Sequence, residues 1–247
     1  MRPNVRAFVE QAAKSWPLRG PIYEFGSYLV EGQNGLGDLR PIFRGERYVG
    51  CDMRPGPGVD RIEDLARLKL AGESAHTIIC VDTLEHVFEV RRAVEEMLRV
   101  LAPGGMILLA APLDFYVHDY PSDYWRLTPS CMTRLLSGLE GMVIGWQGVE
   151  NYPHTVFGIG CKGPLDPSFA AGSGPFIEGM QAWLAEAERS IPWQRKLKRW
   201  TIGRLRSKGE RRRQRDFHQA QFAVHLPHSK NWKPHLIMSP HATHSRQ

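Results

Sequence analysis

Seventeen residues from Leu113 to Pro129 hold five aromatic rings, three aspartates, a histidine and an arginine. A loop needs no such mixture merely to close, and chemistry gathers on loops that rigid strands hold in place. His118 is the first candidate for a general base, because an imidazole titrates near neutrality and can take or give a proton. His86, in Asp82-Thr83-Leu84-Glu85-His86, is the second. The competing reading is that His118 and Asp119 stabilise the loop. Tyr116, Tyr124 and Trp125 suit a substrate wall or a lid. Arg126 is either a substrate contact or the partner of a local Asp.

Other residues point to a ligand with hydroxyls. Arg47 to Asp52 reads as a strand that ends on an acid. A carboxylate there can accept hydrogen bonds from the 2′ and 3′ hydroxyls of a ribose at once. The alternative is a turn Asp, since the Pro/Gly-rich run Arg54 to Gly58 follows. Asp64 sits beside a bound base or caps a helix. Gly32, Gly35 and Gly37 would let the backbone come close to a ligand, or simply mark a loop.

The elements that must position these residues are legible around Thr77 to Pro112. Ile78 to Val81 is a continuous apolar run, as in a strand buried on both faces. Val90, Ala93, Val94, Met97, Leu98 and Leu101 recur at helical spacing. Pro103-Gly104-Gly105 stops that helix, and Met106 to Ala110 is a second buried strand. This is a parallel crossover unit, which places ligands beyond the carboxyl ends of its strands.

Upstream, Val5 to Trp16 reads as a helix, Pro21 to Phe25 as the first strand and Gly26-Ser27 as its turn. Val59 to Leu65 is a short strand or turn, followed by a helix to about Leu70. Downstream, Ser130 to Leu139 reads as a helix capped by Ser130. Met142 to Val149 and Thr155 to Cys161 form a hairpin suited to an antiparallel edge. Pro164 to Pro175 has linker composition, Phe176 to Arg189 is a modest helix, and Phe217 to Gln247 reads as poorly ordered. The expected division is a ligand-binding domain over 1–163 and a linker, basic segment and tail over 164–247. No internal repeat is visible.

Charge is unevenly spread. From Arg189 to Arg215 there are twelve Lys or Arg and one acid, a balance of +11 in a chain of net charge +6, which leaves 6 − 11 = −5 elsewhere. Trp193, Leu197 and Trp200 interleave with Arg195, Lys196, Lys198 and Arg199, as in a helix lying on an anionic membrane surface. Arg211 to Arg213 would equally suit nucleic-acid phosphates. A solvated extension is the third reading. Cys51, Cys80, Cys131 and Cys161 show no paired spacing and read as free thiols in a reducing compartment. No apolar core of a signal peptide and no run of the ~20 residues needed to span a bilayer is present, so a cytoplasmic protein is expected.

Taken in order, these segments resemble the class I S-adenosylmethionine-dependent methyltransferases, within the broad group that contains the ubiquinone-biosynthesis-type enzymes. Leu84-Glu85-His86-Val87 and Arg99-Val100-Leu101-Ala102-Pro103-Gly104-Gly105 carry the likeness, which covers Pro21 to Lys162. The resemblance implies an α/β, doubly wound, seven-stranded, mostly parallel sheet whose last strand is antiparallel; the charge count adds a basic helical or disordered C-terminal extension outside it. It implies S-adenosylmethionine as cofactor. By position, Glu24, Gly26 and Ser27 would meet its methionine part, Asp52 its ribose and Met53 its adenine face. Asp64 and Leu65 would read the adenine edge, and Asp82 and Thr83 would face the sulfonium and methionine ends. The chain departs from the family's GxGxG turn, offering Glu24-Phe25-Gly26-Ser27-Tyr28. The expected acceptor is a small molecule or a glycan or cell-surface precursor. RNA held by the basic tail, or a non-catalytic partner role, are the alternatives. No metal is expected.

Overall fold

The computed structural model describes residues 1–32, 34–118, 122–149, 152–190 and 220–226. The strands are β1 (Ile22–Phe25), β2 (Tyr48–Asp52), β3 (Arg61–Ile62), β4 (Ala75–Val81), β5 (Leu101–Pro112), β6 (Gly141–Val149), β7 (Tyr152–Cys161) and β8 (Ala220–His225). They form one sheet in the order β3-β2-β1-β4-β5-β7-β6-β8. β1 to β5 pair in parallel, β7 runs antiparallel to β5, and β6 and β8 complete the edge by antiparallel pairing. The chain winds outward from β1 to β3 and then back through β4 and β5. The order therefore reverses between β1 and β4, and a crevice opens at their carboxyl ends.

Two layers of helices cover the sheet. β4 shows why its apolar run is continuous: Ile79 and Val81 face α1 (Pro3–Ser15) and α5 (Pro167–Arg189), while Ile78 and Cys80 face α3 (Val90–Val100) and α4 (Pro129–Leu135). Successive strand residues point to opposite faces, so a strand clad on both sides must be apolar throughout. A four-residue helix, α2 (Asn34–Gly37), leads toward β2.

The structure corrects several expectations. The sheet has an eighth strand, drawn from the segment read as poorly ordered: Phe222 is buried against Phe157 and Phe176, at ring separations of 6.3 and 5.3 Å. The β6–β7 hairpin is consequently not the edge. The stretch from Pro167 to Pro175, read as linker, is the first half of α5. Asp166 caps it by accepting from Ser168 N at 2.7 Å, Pro167 occupies the first turn, and Phe169, Gly172 and Ser173 are buried. The Trp16 indole N–H donates to Phe169 O at 3.0 Å, which fastens α5 to the end of α1.

No helix follows β3, because Asp64 Oδ1 accepts from Ala66 N at 2.9 Å and makes a local turn instead. α4 begins at Pro129, and its cap is Thr128 rather than Ser130. Pro103, Gly104 and Gly105 lie inside β5, where the register against β4 slips. The basic run beyond Ser190, and with it the membrane and nucleic-acid readings, lies outside the described residues. So do Asp119 and Tyr120.

Candidate active site

A cleft of about 760 Å³ opens at the carboxyl ends of β1, β2 and β4 and runs toward the loop after β5. That volume suits a cofactor-sized ligand. Gly26, Ser27, Asp52, Met53, Asp64, Leu65, Asp82 and Thr83 all line it. These come from loops following separate strands, so only the parallel sheet brings them together.

Glu24 is the exception and a correction to the expected cofactor set. Period-two alternation in β1 turns Glu24 to the same face as Ile22, away from Tyr23 and Phe25. It is buried, accepts from the Tyr48 hydroxyl at 2.7 Å and is absent from the cleft wall. Burial pushes its carboxyl up to about 7, against the opposing pull of the Tyr48 hydrogen bond.

The cofactor end has a turn built for close approach. Gly26 has φ +85°, and a Cβ there would collide with Thr83 Oγ1. Ser27 Oγ is buried and has no hydrogen-bond partner among the described residues. An orphaned hydroxyl on a ligand-sized cleft that also holds the Asp52 carboxylate fits a ligand with polar groups spaced along its length. The side chain of Asp52 is 12% exposed, and its Oδ1 accepts from Arg54 N at 3.0 Å. A carboxylate (Asp52), apolar side chains (Leu65 and Met53) and hydroxyls (Ser27 and Thr83) along one cleft are chemically compatible with S-adenosylmethionine.

Asp82 sits at φ +48°, a left-handed conformation that non-glycine residues adopt chiefly at special sites. Its carboxylate is held by Arg2, at 2.5 Å from Nη2 to Oδ1 and 3.3 Å from Nε to Oδ2. Arg2 Nη1 also donates to Thr155 Oγ1 at 2.7 Å. Nothing in the sequence marks Arg2, since it precedes the first helix and reaches the cleft only through the tertiary fold.

The other end of the cleft is the loop after β5, stitched to the loop after β4. Tyr124 N and Trp125 N donate to Glu85 O at 2.7 and 3.2 Å. The Trp125 indole donates to Val87 O at 3.0 Å, and His86 Nδ1 donates to Ser122 O at 2.7 Å. A carbonyl only accepts, so His86 carries its proton on Nδ1. Burial holds its pKa below the usual histidine value.

His118 Nδ1 lies 3.0 Å from Asp123 Oδ2. Asp123 in turn receives both Arg126 nitrogens, at 2.5 and 2.7 Å, and His118 N at 2.9 Å. The carboxylate is hidden by a thin shell of loop atoms rather than by depth. Those hydrogen bonds, Arg126 first, hold it well below the usual carboxylate range. Asp123 was not singled out from sequence; its spacing of three from Arg126 is the signal.

Both histidines line the cleft, 4.9 Å apart between ring centroids, with Tyr116 and Tyr124 beside them. Trp125 and Arg126 do not reach the wall. Arg126 is consumed by Asp123 and by Tyr116 O at 3.0 Å. Trp125 instead backs Phe88, which lines the cleft and is 67% exposed.

Residues 39–109 match the family model described as a methyltransferase domain. No curated protein matches the chain. Similar solved structures include a Thermotoga maritima protein titled a S-adenosylmethionine-dependent methyltransferase, possible histamine N-methyltransferase. It is 18% identical over 64% of this chain and 92% of that one, with a TM-score of 0.45. The YcgJ protein of Bacillus subtilis is 15% identical over 65% and 99%, at 0.46. A S-adenosylmethionine-dependent methyltransferase of Mesorhizobium loti is 13% identical over 64% and 98%, at 0.45. The family match spans the segment from just before β2 to within β5, the part of the chain whose strands end on the cleft, so this part is similar to a methyltransferase domain, and S-adenosylmethionine is its cofactor.

Proposed function

We propose that the chain methylates a hydroxyl group of a small molecule or of a glycan or cell-surface precursor. The observation that carries this is the His118–Asp123 pair at the acceptor end of the cleft. S-adenosylmethionine supplies an electrophilic methyl on a sulfonium, and an uncharged hydroxyl must lose a proton to attack it. His118 donates Nδ1–H to Tyr116 O at 3.3 Å, so its Nε2 carries a lone pair. Asp123, locked by Arg126 and 3.0 Å from Nδ1, would stabilise the imidazolium formed when Nε2 takes the proton.

An exposed rim supports a flat or ring-shaped acceptor. Phe88 and Tyr124 meet edge to face at 5.4 Å, and Tyr116 is 72% exposed. Such rings offer stacking area at little entropic cost. The residues opposite, Asp52 and Ser27, hold the cofactor, and Thr83 packs the turn that seats it. Four free cysteines support a reducing compartment, the cytoplasm, as the place of work. Among the described residues no helix is long and apolar enough to cross a membrane.

The test is a calorimetric titration with S-adenosylmethionine, then a screen of hydroxyl acceptors with radiolabelled cofactor. His118→Asn is expected to lower kcat by about 10²- to 10⁴-fold with cofactor affinity unchanged. Absence of cofactor binding would instead support a non-catalytic partner, and transfer to RNA alone would replace the proposed acceptor. Undiminished turnover in the variant would remove His118 from the reaction.

A further inference from the structure

We propose that Glu85, His86 and His118 form a binding site for one divalent transition-metal cation at the acceptor end of the cleft. Each offers one ligand atom, and these atoms lie within 4.8 Å of one another. Proximity alone would not suffice, and two further observations point to an ion.

The first is the setting of the imidazoles. His86 gives its Nδ1–H to Ser122 O at 2.7 Å, and His118 gives its own to Tyr116 O at 3.3 Å, with Asp123 Oδ2 3.0 Å from the same nitrogen. Each ring is thereby fixed with Nε2 as its electron-pair donor. Imidazoles that bind metals are held in this way, with the second nitrogen donating to a carbonyl or carboxylate.

The second is Glu85. Its side chain is 1% exposed, it lines the cleft, and its Oε2 has no hydrogen-bond partner among the described residues. The nearby cations do not serve it, because Arg2 is committed to Asp82 and Arg126 to Asp123. A cation between Glu85 and the two rings would satisfy a buried carboxyl oxygen that no described residue pairs.

Two imidazoles and one carboxylate suit Zn²⁺, Mn²⁺ or Fe²⁺, whereas Ca²⁺ and Mg²⁺ favour all-oxygen sets. Around an ion at about 2.0–2.1 Å, tetrahedral ligand atoms stand roughly 3.3 Å apart. The three side chains would therefore draw together by about an ångström. The remaining coordination positions would face the cleft and admit water or the oxygen of an acceptor. With an ion in place, His118 Nε2 is a ligand, so the base role proposed for it above belongs to the metal-free protein. An acceptor hydroxyl would then lose its proton to water while its oxygen stays on the cation. The site stands whichever acceptor is used, and also if no methyl is transferred.

The test uses the full-length protein, treated with chelator and titrated with Zn²⁺ and separately with Co²⁺, whose visible bands report coordination. One equivalent is expected to bind at this site. Glu85→Gln and His118→Asn should each weaken it at least tenfold and change the Co²⁺ spectrum. Asp123→Asn, which touches no ion, should weaken it about tenfold through His118. An ion held by His228, His235, His241 and His244 would be retained in all three variants, and that result overturns the proposal. So does the absence of stoichiometric binding in the parent. If Glu85→Gln fails to fold by circular dichroism, His118→Asn, a partly exposed side chain, decides the matter. A parallel S-adenosylmethionine titration reports on the methyl-transfer reading separately.

Discussion

Replacing Asp52 by Ala tests the cofactor placement most directly. Asp52 ends β2, and its side chain is 12% exposed, so the substitution opens no core cavity. Within the protein it loses one hydrogen bond from Arg54 N and a loose ion pair to Arg54 Nε at 3.9 Å. The effect on folding should stay near 1 kcal/mol. The effect on the cofactor should be larger. A ribose diol presents two donors to one carboxylate, and a hydrogen bond to a charged group contributes about 1.5–3 kcal/mol. Water can refill this partly open position, so the net loss is about 2–3 kcal/mol rather than the sum. At 1.4 kcal/mol per decade, Kd for S-adenosylmethionine should rise about 30- to 150-fold. Asp52→Asn keeps one acceptor and should fall between the parent and the alanine variant. Calorimetry with S-adenosylhomocysteine checks both without turnover. A folded Asp52→Ala protein whose Kd lies within threefold of the parent would refute the placement.

Two further predictions concern stability. Glu24, held at about 7 by burial, keeps its proton in the folded state to higher pH than in the unfolded chain, where it titrates near 4.5. Its contribution is fully present below pH 4.5 and is lost as pH rises through 7. This group alone should therefore lower parent stability by about 3 kcal/mol between those limits, and Glu24→Gln should remove that share of the pH dependence and be the more stable at pH 8.5. Urea titrations at pH 5 and 8.5 measure this, and parallel curves for the two proteins would count against it. Phe222→Ala should cost about 3–5 kcal/mol, since the ring is 2% exposed between Phe157 and Phe176. A Tm unchanged by that variant would show that β8 is not part of the cooperative fold.

The parallel half of the sheet could be read from sequence because burial on both faces writes itself as unbroken apolar runs. Ile78 to Val81 is the clearest case, and α3 declares its face through Ala93, Val94, Met97 and Val100. The acids and glycines after β1, β2 and β4 fell into place because a parallel sheet must bring its carboxyl ends together. Composition misled where capping was informative. Asp166-Pro167-Ser168 is a helix start, with the acid at the cap and proline in the first turn, yet the glycines and serines around it suggested a linker. β8 is six residues long and takes its order from β6, which no local pattern announces. Arg2 and the Arg126–Asp123 pair are tertiary facts, and strand alternation turns Glu24 away from the cleft although its family position implies a cofactor contact.

The turn after β1 carries one glycine, Gly26, where the family's turn has three. Three glycines normally let the turn after the first strand pack closely. Here Gly26 alone supplies the positive φ, and the close packing is provided from the other side. Gly50 lies against Gly58 O, and Gly58, at φ +84°, lies against Ser27 O; a Cβ at either would collide. The turn is thus seated by glycines of β2 and its following loop, and position 27 is free to carry a hydroxyl. That hydroxyl is buried without a partner among the described residues, which costs about 1–3 kcal/mol. A polar group kept at such a cost should be repaid when ligand binds. Ser27→Ala should therefore stabilise the free protein by about 1 kcal/mol and weaken S-adenosylmethionine by about tenfold. Thermal unfolding with and without cofactor reads both effects in one experiment. A variant that gains stability and binds cofactor as the parent does would assign the orphaned hydroxyl to something other than the cofactor.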